Sequence, residues 1–281
     1  MHAVGSLVNP SREPLGDSRA DSPGHGPFVL EPRRHGVSST LAQRLAGWRP
    51  AAVFGAASLV GYAVLATVIV GLGLLLTKVL VPIDAVGNVE QSVPSWIAEN
   101  RRPWLTDASA VASTIGDVPV LPGLVALTII VALVCRRFRI GAFLLTAILV
   151  ELTLYRVAAL VVPRDRPEVA RLDVLPVDES FPSGHVAASF VVYIGLAWLI
   201  ASRFPRRWVA ILCWALGPAL VLAVGLSRVY RGMHHPLDAL AGALLGAGSL
   251  LVALVAIRAY AQARWIRAGD PDPRFEERAV T

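Results

Sequence analysis

Long apolar runs, free of charge or nearly so, alternate along the chain with short basic or mixed segments. The first run extends from Ala51 to Thr77 between Arg49 and Lys78, and the second from Val118 to Cys135, closed by Arg136, Arg137 and Arg139. The third begins at Ile140 and reaches Val162, with Glu151 and Arg156 inside it. The fourth covers His185 to Ser202 and stops before Arg203, Arg206 and Arg207. The fifth covers Trp208 to Leu226, and the sixth starts after Pro236 and ends near Ile257. A helix needs about 20 mainly apolar residues to cross the bilayer hydrocarbon. The pattern therefore predicts an all-α, polytopic membrane bundle of about six transmembrane helices.

Residues 1–40 are rich in Pro, Gly, Ser and Arg without sustained periodicity, which predicts a disordered tail. That segment is too long and polar for the charged start of a signal peptide, and the run behind it is too long for a signal core. The expected organisation is a basic cytoplasmic tail over 1–48, a six-helix membrane domain over 49–260 and a charged tail over 261–281. A short interfacial helix is expected around Pro94 to Ser113.

Composition agrees: 55% of residues are hydrophobic, only 16% are charged, and the mean hydropathy is +0.59. The net charge of +6 would suit a nucleic-acid binder. The arginines, however, sit at the ends of apolar runs, where topology signals belong, so no nucleic-acid partner is expected. With a cytoplasmic N-terminus, Arg44, Arg49, Arg136, Arg137, Arg139, Arg203, Arg206, Arg207, Arg258, Arg264 and Arg267 all fall inside. Both termini are then cytoplasmic, in the plasma membrane, and the segments 78–117, 163–184 and 227–235 face outward. Cys135 and Cys213 lie far apart near or within apolar runs and read as small buried hydrophobes, not as a disulfide or metal pair.

Three of the six histidines lie in the first 35 residues; the other three accompany unusual clusters on the outward segments. Arg164-Asp165-Arg166-Pro167 puts two arginines where the topology signal does not want them, and Arg166 offers a planar fork for a phosphate. Phe181-Pro182-Ser183-Gly184-His185 precedes an apolar helix: Ser183 suits the N-cap, Gly184 permits close backbone approach, and the free amides suit an anion. In the third cluster, Ser227 to Asp238, Pro236 suits the first helical position and Asp238 the first turn. His234 and Asp238, four apart, can face each other, the arrangement of an oriented nucleophile or base.

Arg166-Pro167, Pro182-Ser183-Gly184-His185, and Ser227-Arg228 followed by His234 and Asp238 together resemble the three-part signature of the type 2 phosphatidic acid phosphatase (PAP2) superfamily. The resemblance covers residues 140–257 and the six-span layout. It implies that His234 attacks phosphorus and forms a phosphohistidine, that Asp238 holds its ring, and that His185 protonates the leaving oxygen. Arg166, Arg228, Ser183 and Gly184 would hold the phosphoryl oxygens, with no metal or other cofactor. His235 is the competing nucleophile, but its spacing to Asp238 breaks the family register. The family's opening lysine is missing, its place taken by Ala159; Arg156 one turn earlier could reach the phosphate or pair with Glu151.

These readings make the chain a metal-independent membrane hydrolase of a lipid phosphate or diphosphate, such as an isoprenoid diphosphate, phosphatidylglycerophosphate or phosphatidate, acting at the non-cytoplasmic face. A phosphotransferase using the same site is the nearer alternative. A soluble haloperoxidase with the same signature is disfavoured by the spans. A non-catalytic transporter or lipid-binding protein would place its ionisable groups near the midplane, often in repeated halves; no internal repeat is found.

Overall fold

The computed structural model describes residues 28–268 except 34, 118–119, 175–178 and 205. Among these residues the regular structure is helical. A short helix α1 (Val37–Arg44) precedes α2 (Pro50–Leu75), which runs on as a π-helical turn over Leu76–Leu80. Then follow α3 (Asp84–Glu99), α4 (Pro103–Ile115), α5 (Val120–Val134) and α6 (Phe138–Val161). Helix α7 (Gly184–Ser189) passes through a π-helical turn over Phe190–Ile194 into α8 (Gly195–Arg203), and α9 (Arg207–Tyr230) and α10 (Pro236–Ala268) complete the chain.

Six stretches are long and apolar enough to cross a membrane: Pro50–Leu80, Pro103–Val134, Phe138–Val161, Gly184–Arg203, Arg207–Tyr230 and Pro236–Ala268. The chain is a multi-pass membrane protein. Leu59, Val64, Leu127, Ile130, Leu160 and Leu222 are exposed on these stretches, as expected where lipid replaces water as the neighbour.

The most enclosed span is α10, packed against α1, α2, α6 and α7. Small residues on its inner face allow this. A Cβ on Gly242 would lie 2.4 Å from the Ser183 carbonyl oxygen, and one on Gly246 would lie 2.6 Å from that of Ala187. This small-xxx-small pair brings the backbone at the start of α7 against α10. Close packing here seats residues 183–187 beside the first turns of α10.

The second span departs from the sequence reading. It begins at Pro103 rather than Val118, with a break after Ile115, and the expected interfacial helix over 94–113 is divided between α3 and α4. The polar residues that suggested a loop are satisfied inside the bundle: Ser113 and Ser109 on α4 accept hydrogen bonds from Arg228 and Arg231.

Both expected tails are also shorter than read. Val29 and Leu30 are buried in the main apolar cluster, Arg258 Nε donates to the Val29 carbonyl, and α1 packs on α10. Helix α10 continues to Ala268, so the expected tail from 261 starts as helix. The remainder of both tails lies outside the described residues. Cys135 is exposed and Cys213 half-buried, so neither is the buried residue expected; both lie on or beside lipid-facing helices, where an apolar thiol needs no burial.

Candidate active site

The loops after α6 and α9 meet at the N-terminal ends of α7 and α10. The second is a tight turn. Gly232 takes φ +72°, a left-handed conformation open to glycine, and a Cβ there would lie 2.7 Å from Val169. The Met233 amide returns to the Arg228 carbonyl, and α10 opens with Pro236, whose fixed φ suits a helix start. Asp238, in the first turn, accepts the His235 amide at 3.0 Å and so caps the helix from inside.

His234 is buried, and its Nδ1 stands 2.8 Å from the main-chain carbonyl of Ser180. A carbonyl can only accept, so Nδ1 carries the proton and Nε2 holds the lone pair. Burial, followed by the charges of Arg166 and Arg228, keeps the His234 imidazole well below its ordinary proton affinity. A neutral ring with a fixed tautomer results.

The carboxylate of Asp238 does not touch that ring as expected. It is fully buried and turned toward Ser180, whose Oγ donates to Oδ2 at 2.5 Å, and toward Arg164, whose Nε stands 2.6 Å from Oδ1. The Arg164 contact is a close ion pair, not an aligned hydrogen bond. Ser180 thus links the two: its hydroxyl to Asp238 and its carbonyl to His234. Arg164 completes the group by reaching Glu90 on α3 at 2.5 Å.

Arg166 and Arg228 are buried close enough to His234 to act on its charge. Arg166 donates to the Met233 carbonyl at 2.5 Å and the Glu179 carbonyl at 3.0 Å, which fixes its plane against the loop. Arg228 donates through Nη1 to Ser113 Oγ and Asp173, at 2.7 and 2.8 Å. Among the described residues its Nε and Nη2 are buried with no hydrogen-bond partner, as is the hydroxyl of Ser183. An Nε–Nη2 edge is the face an arginine presents to a bidentate oxyanion. Buried donors of this kind are costly unless something accepts them.

Ser183 occupies the N-cap of α7 as expected, but its side chain does not cap the helix and its amide donates to the Asp238 carbonyl at 3.0 Å. The amides of Gly184 and His185, in the first turn, have no intrahelical acceptor. Gly184 packs under the Tyr155 ring, 3.0 Å from where a Cβ would be. His185 directs Nε2 to Asp117 Oδ1 at 3.3 Å, and its electrostatic neighbours include Arg228 and Asp173.

Two further candidates from the sequence make other contacts. Arg156 is exposed on α6, 5.9 Å above the Tyr155 ring centroid. Ala159 faces the interior, so the one-turn offset carries Arg156 outward. Among the described residues no ion pair joins Arg156 to Glu151. His235 turns its Nδ1 to the Glu90 carbonyl at 2.9 Å, which commits that ring to α3.

Sequence reasoning missed Ser180, Asp117, Asp173, Ser113 and Glu90. Asp173 bridges Arg228 and Arg231 at 2.8 and 2.6 Å, and these two cations hold its carboxyl below the usual range, Arg231 foremost. Their signal was weak because each lies outside the three clusters and becomes a neighbour only through tertiary packing. Two arginines separated by two residues, Arg228 and Arg231, at the end of an apolar helix were the nearest hint of a carboxylate opposite.

A family model described as PAP2 superfamily matches residues 94–262, more than half of the 281-residue chain. An undecaprenyl-diphosphatase of Sulfolobus acidocaldarius is 34% identical over 116 residues, 40% of this chain and 52% of that protein. Phosphatidylglycerophosphatase B of Bacillus subtilis is 27% identical over 168 residues, 58% of this chain and 80% of that protein. The chain thus spans about half the length of the first relative. The crystal structure of a transmembrane PAP2-type phosphatidylglycerolphosphate phosphatase from Bacillus subtilis superposes with a TM-score of 0.57 at 22% identity, covering 73% of this chain and 94% of that one. At that identity the superposition speaks for the fold.

Proposed function

Since the chain belongs to the PAP2 superfamily, we propose that it is a membrane phosphatase that hydrolyses a lipid phosphate or diphosphate through a phosphohistidine on His234. The observation that carries this reading is the contact of His234 Nδ1 with the Ser180 carbonyl, which puts the ring's lone pair on Nε2, while burial and the charges of Arg166 and Arg228 disfavour its protonation. An unprotonated, oriented imidazole is a nucleophile. The two guanidiniums, the Ser183 hydroxyl and the amides of Gly184 and His185 are donors suited to the three oxygens of a transferring phosphoryl group.

In the first step His234 Nε2 forms a bond to phosphorus as the bond to the lipid oxygen breaks, and His185 donates a proton to that oxygen. In the second, His185 takes a proton from water, whose oxygen attacks phosphorus as the N–P bond breaks. Inorganic phosphate leaves and both histidines return to their starting states. The donor set around Arg228 and Ser183 does this with side chains and amides alone. The phosphate-binding role expected of Arg156 is not carried forward: its side chain is exposed and its guanidinium lies over the Tyr155 ring.

The basic ends of the spans support a cytoplasmic position for the turns at 135–137 and 203–207 and for both termini. The site would then open at the outer face of the plasma membrane, where a headgroup meets it from the interface while the apolar tail stays between helices. The names of the relatives make an isoprenoid diphosphate and phosphatidylglycerophosphate the first substrates to assay.

The test is phosphate release by purified, detergent-solubilised protein with EDTA present, on isoprenoid mono- and diphosphates, phosphatidylglycerophosphate and phosphatidate. Release from one of these, absent in His234→Ala, is the expected result. Release equal to wild type in His234→Ala overturns the nucleophile. No release from any lipid, with phosphoryl transfer to an added lipid alcohol, would make the protein a transferase.

A further inference from the structure

Glu90 is a carboxylate that the chemistry above does not use. It lies on α3, ahead of the family-matched residues, yet its side chain is buried at the catalytic end of the bundle. Two contacts tie it there. Its carboxylate meets Arg164, and its main-chain carbonyl accepts the His235 ring. Arg164 is shared: on the same edge, through Nε, it meets Asp238, which receives the Ser180 hydroxyl, and the Ser180 carbonyl holds His234. A continuous chain of buried polar contacts therefore runs from Glu90 to the nucleophilic ring.

The charge of that chain is informative. Arg164 contributes one positive charge, and Glu90 and Asp238 one negative charge each, so the group carries a net negative charge behind His234. Without Glu90 it would be neutral. When His234 Nε2 bonds to phosphorus, its ring becomes an N-phosphoryl imidazolium with the proton still on Nδ1. A preorganised negative charge behind Nδ1 favours that cation over the neutral ring in the resting enzyme. In a buried site such a charge acts with little screening.

Resting on the phosphohistidine reading, we propose that Glu90 is a positioning residue that keeps the Arg164–Asp238 group net negative and so lowers the barrier to phosphoryl transfer onto His234. Substrate oxygens do not meet it, so its effect belongs in kcat and not in KM. The groups facing it are Arg164, His235 and Asp238, with the Leu237 amide close by. Burial outweighs the pull of Arg164 and holds its carboxyl above the usual range. Protonated Glu90 is electrically the same as glutamine.

The experiment measures kcat and KM for wild type, Glu90→Gln and Glu90→Asp between pH 5 and 8.5 on the lipid that wild type hydrolyses. Expected for Glu90→Gln is a roughly tenfold fall in kcat at pH 8 with KM within about twofold. The ratio of wild-type to Gln rates should shrink toward one as the pH falls. Glu90→Asp, which keeps the charge, should lie closer to wild type at pH 8. A pH-independent ratio, or a loss confined to KM, would reduce Glu90 to a packing role and overturn the proposal, as would equal rates in all three. Should Glu90→Gln not fold, Glu90→Asp carries the test: kcat at pH 8 within a few-fold of wild type supports the proposal and a hundredfold fall counts against it. If wild type itself releases no phosphate, it is the phosphatase reading that fails.

Discussion

The main-chain carbonyl of Ser180 stands 2.8 Å from Nδ1 of His234 and takes the place that a carboxylate was expected to hold. A carbonyl orients an imidazole and fixes its tautomer without drawing its proton, so the ring stays neutral until phosphorus arrives. The carboxylate acts one link away, through the Ser180 hydroxyl that donates to Asp238 at 2.5 Å.

This arrangement separates the roles of the two residues. Ser180→Ala keeps the carbonyl and removes only the hydroxyl link, leaving Asp238 with Arg164 and the His235 amide. We expect kcat to fall by about tenfold, the size of one buried charged hydrogen bond. Asp238→Asn also strips Arg164 of a buried partner and should cost about a hundredfold or more. Steady-state phosphate release checks both, and Ser180→Ala falling below Asp238→Asn would contradict the order.

The two histidine roles can be told apart by their step. In the proposed mechanism His185 serves the leaving oxygen and then water, but a good leaving group needs no proton. With an activated aryl phosphate, His185→Ala should show a burst of alcohol equal to the enzyme, followed by slow turnover. His234→Ala should show no burst, and His235→Ala should keep substantial steady-state activity. Rapid-quench assays read all three, and a burst in His234→Ala would rule out that ring.

Arg228→Lys keeps the charge but loses the planar Nε–Nη2 edge, which is buried and has no hydrogen-bond partner among the described residues. A lysine is a point charge and cannot reproduce the fork. KM for the lipid phosphate should rise and kcat/KM fall by roughly 10- to 100-fold. Inhibition by inorganic vanadate or phosphate should weaken in parallel; unchanged inhibition would place the phosphoryl group elsewhere.

The six spans were legible because bilayer thickness forces a long apolar run on each helix, and the side chains proposed to hold the phosphoryl group because they sit in three short clusters. What was not legible depended on partners distant in sequence. Ser109 and Ser113 read as part of an outward segment because the donors that reach them, Arg231 and Arg228, are more than a hundred positions away. Glu90 and Asp117 reach the group only after α3 and the α4 end fold onto it. Arg156 is exposed where Ala159 is buried, because one turn is 3.6 residues and a three-residue offset rotates the side chain from the inward face.

Acid should destabilise the folded protein in part through His234, and the sign follows from its environment. Its folded affinity for protons is held well below the ordinary value, first by burial and then by Arg166 and Arg228. The unfolded chain, with an imidazole near pKa 6.5, binds the proton first as pH falls. Stability is therefore unaffected by this group above about pH 7 and is lost as the pH falls below 6.5, continuing toward the lower folded value. Glu90 works the other way: its carboxyl is raised on folding, so acid relieves a penalty there. The wild-type curve alone mixes the two. The difference between wild type and His234→Gln isolates the histidine, because Glu90 is common to both. Thermal unfolding in detergent between pH 8 and pH 5 should show the wild-type midpoint dropping by a few degrees more than that of His234→Gln. Parallel curves would mean that His234 binds its proton as readily in the folded protein as in the unfolded chain, against the depression argued from burial, Arg166 and Arg228.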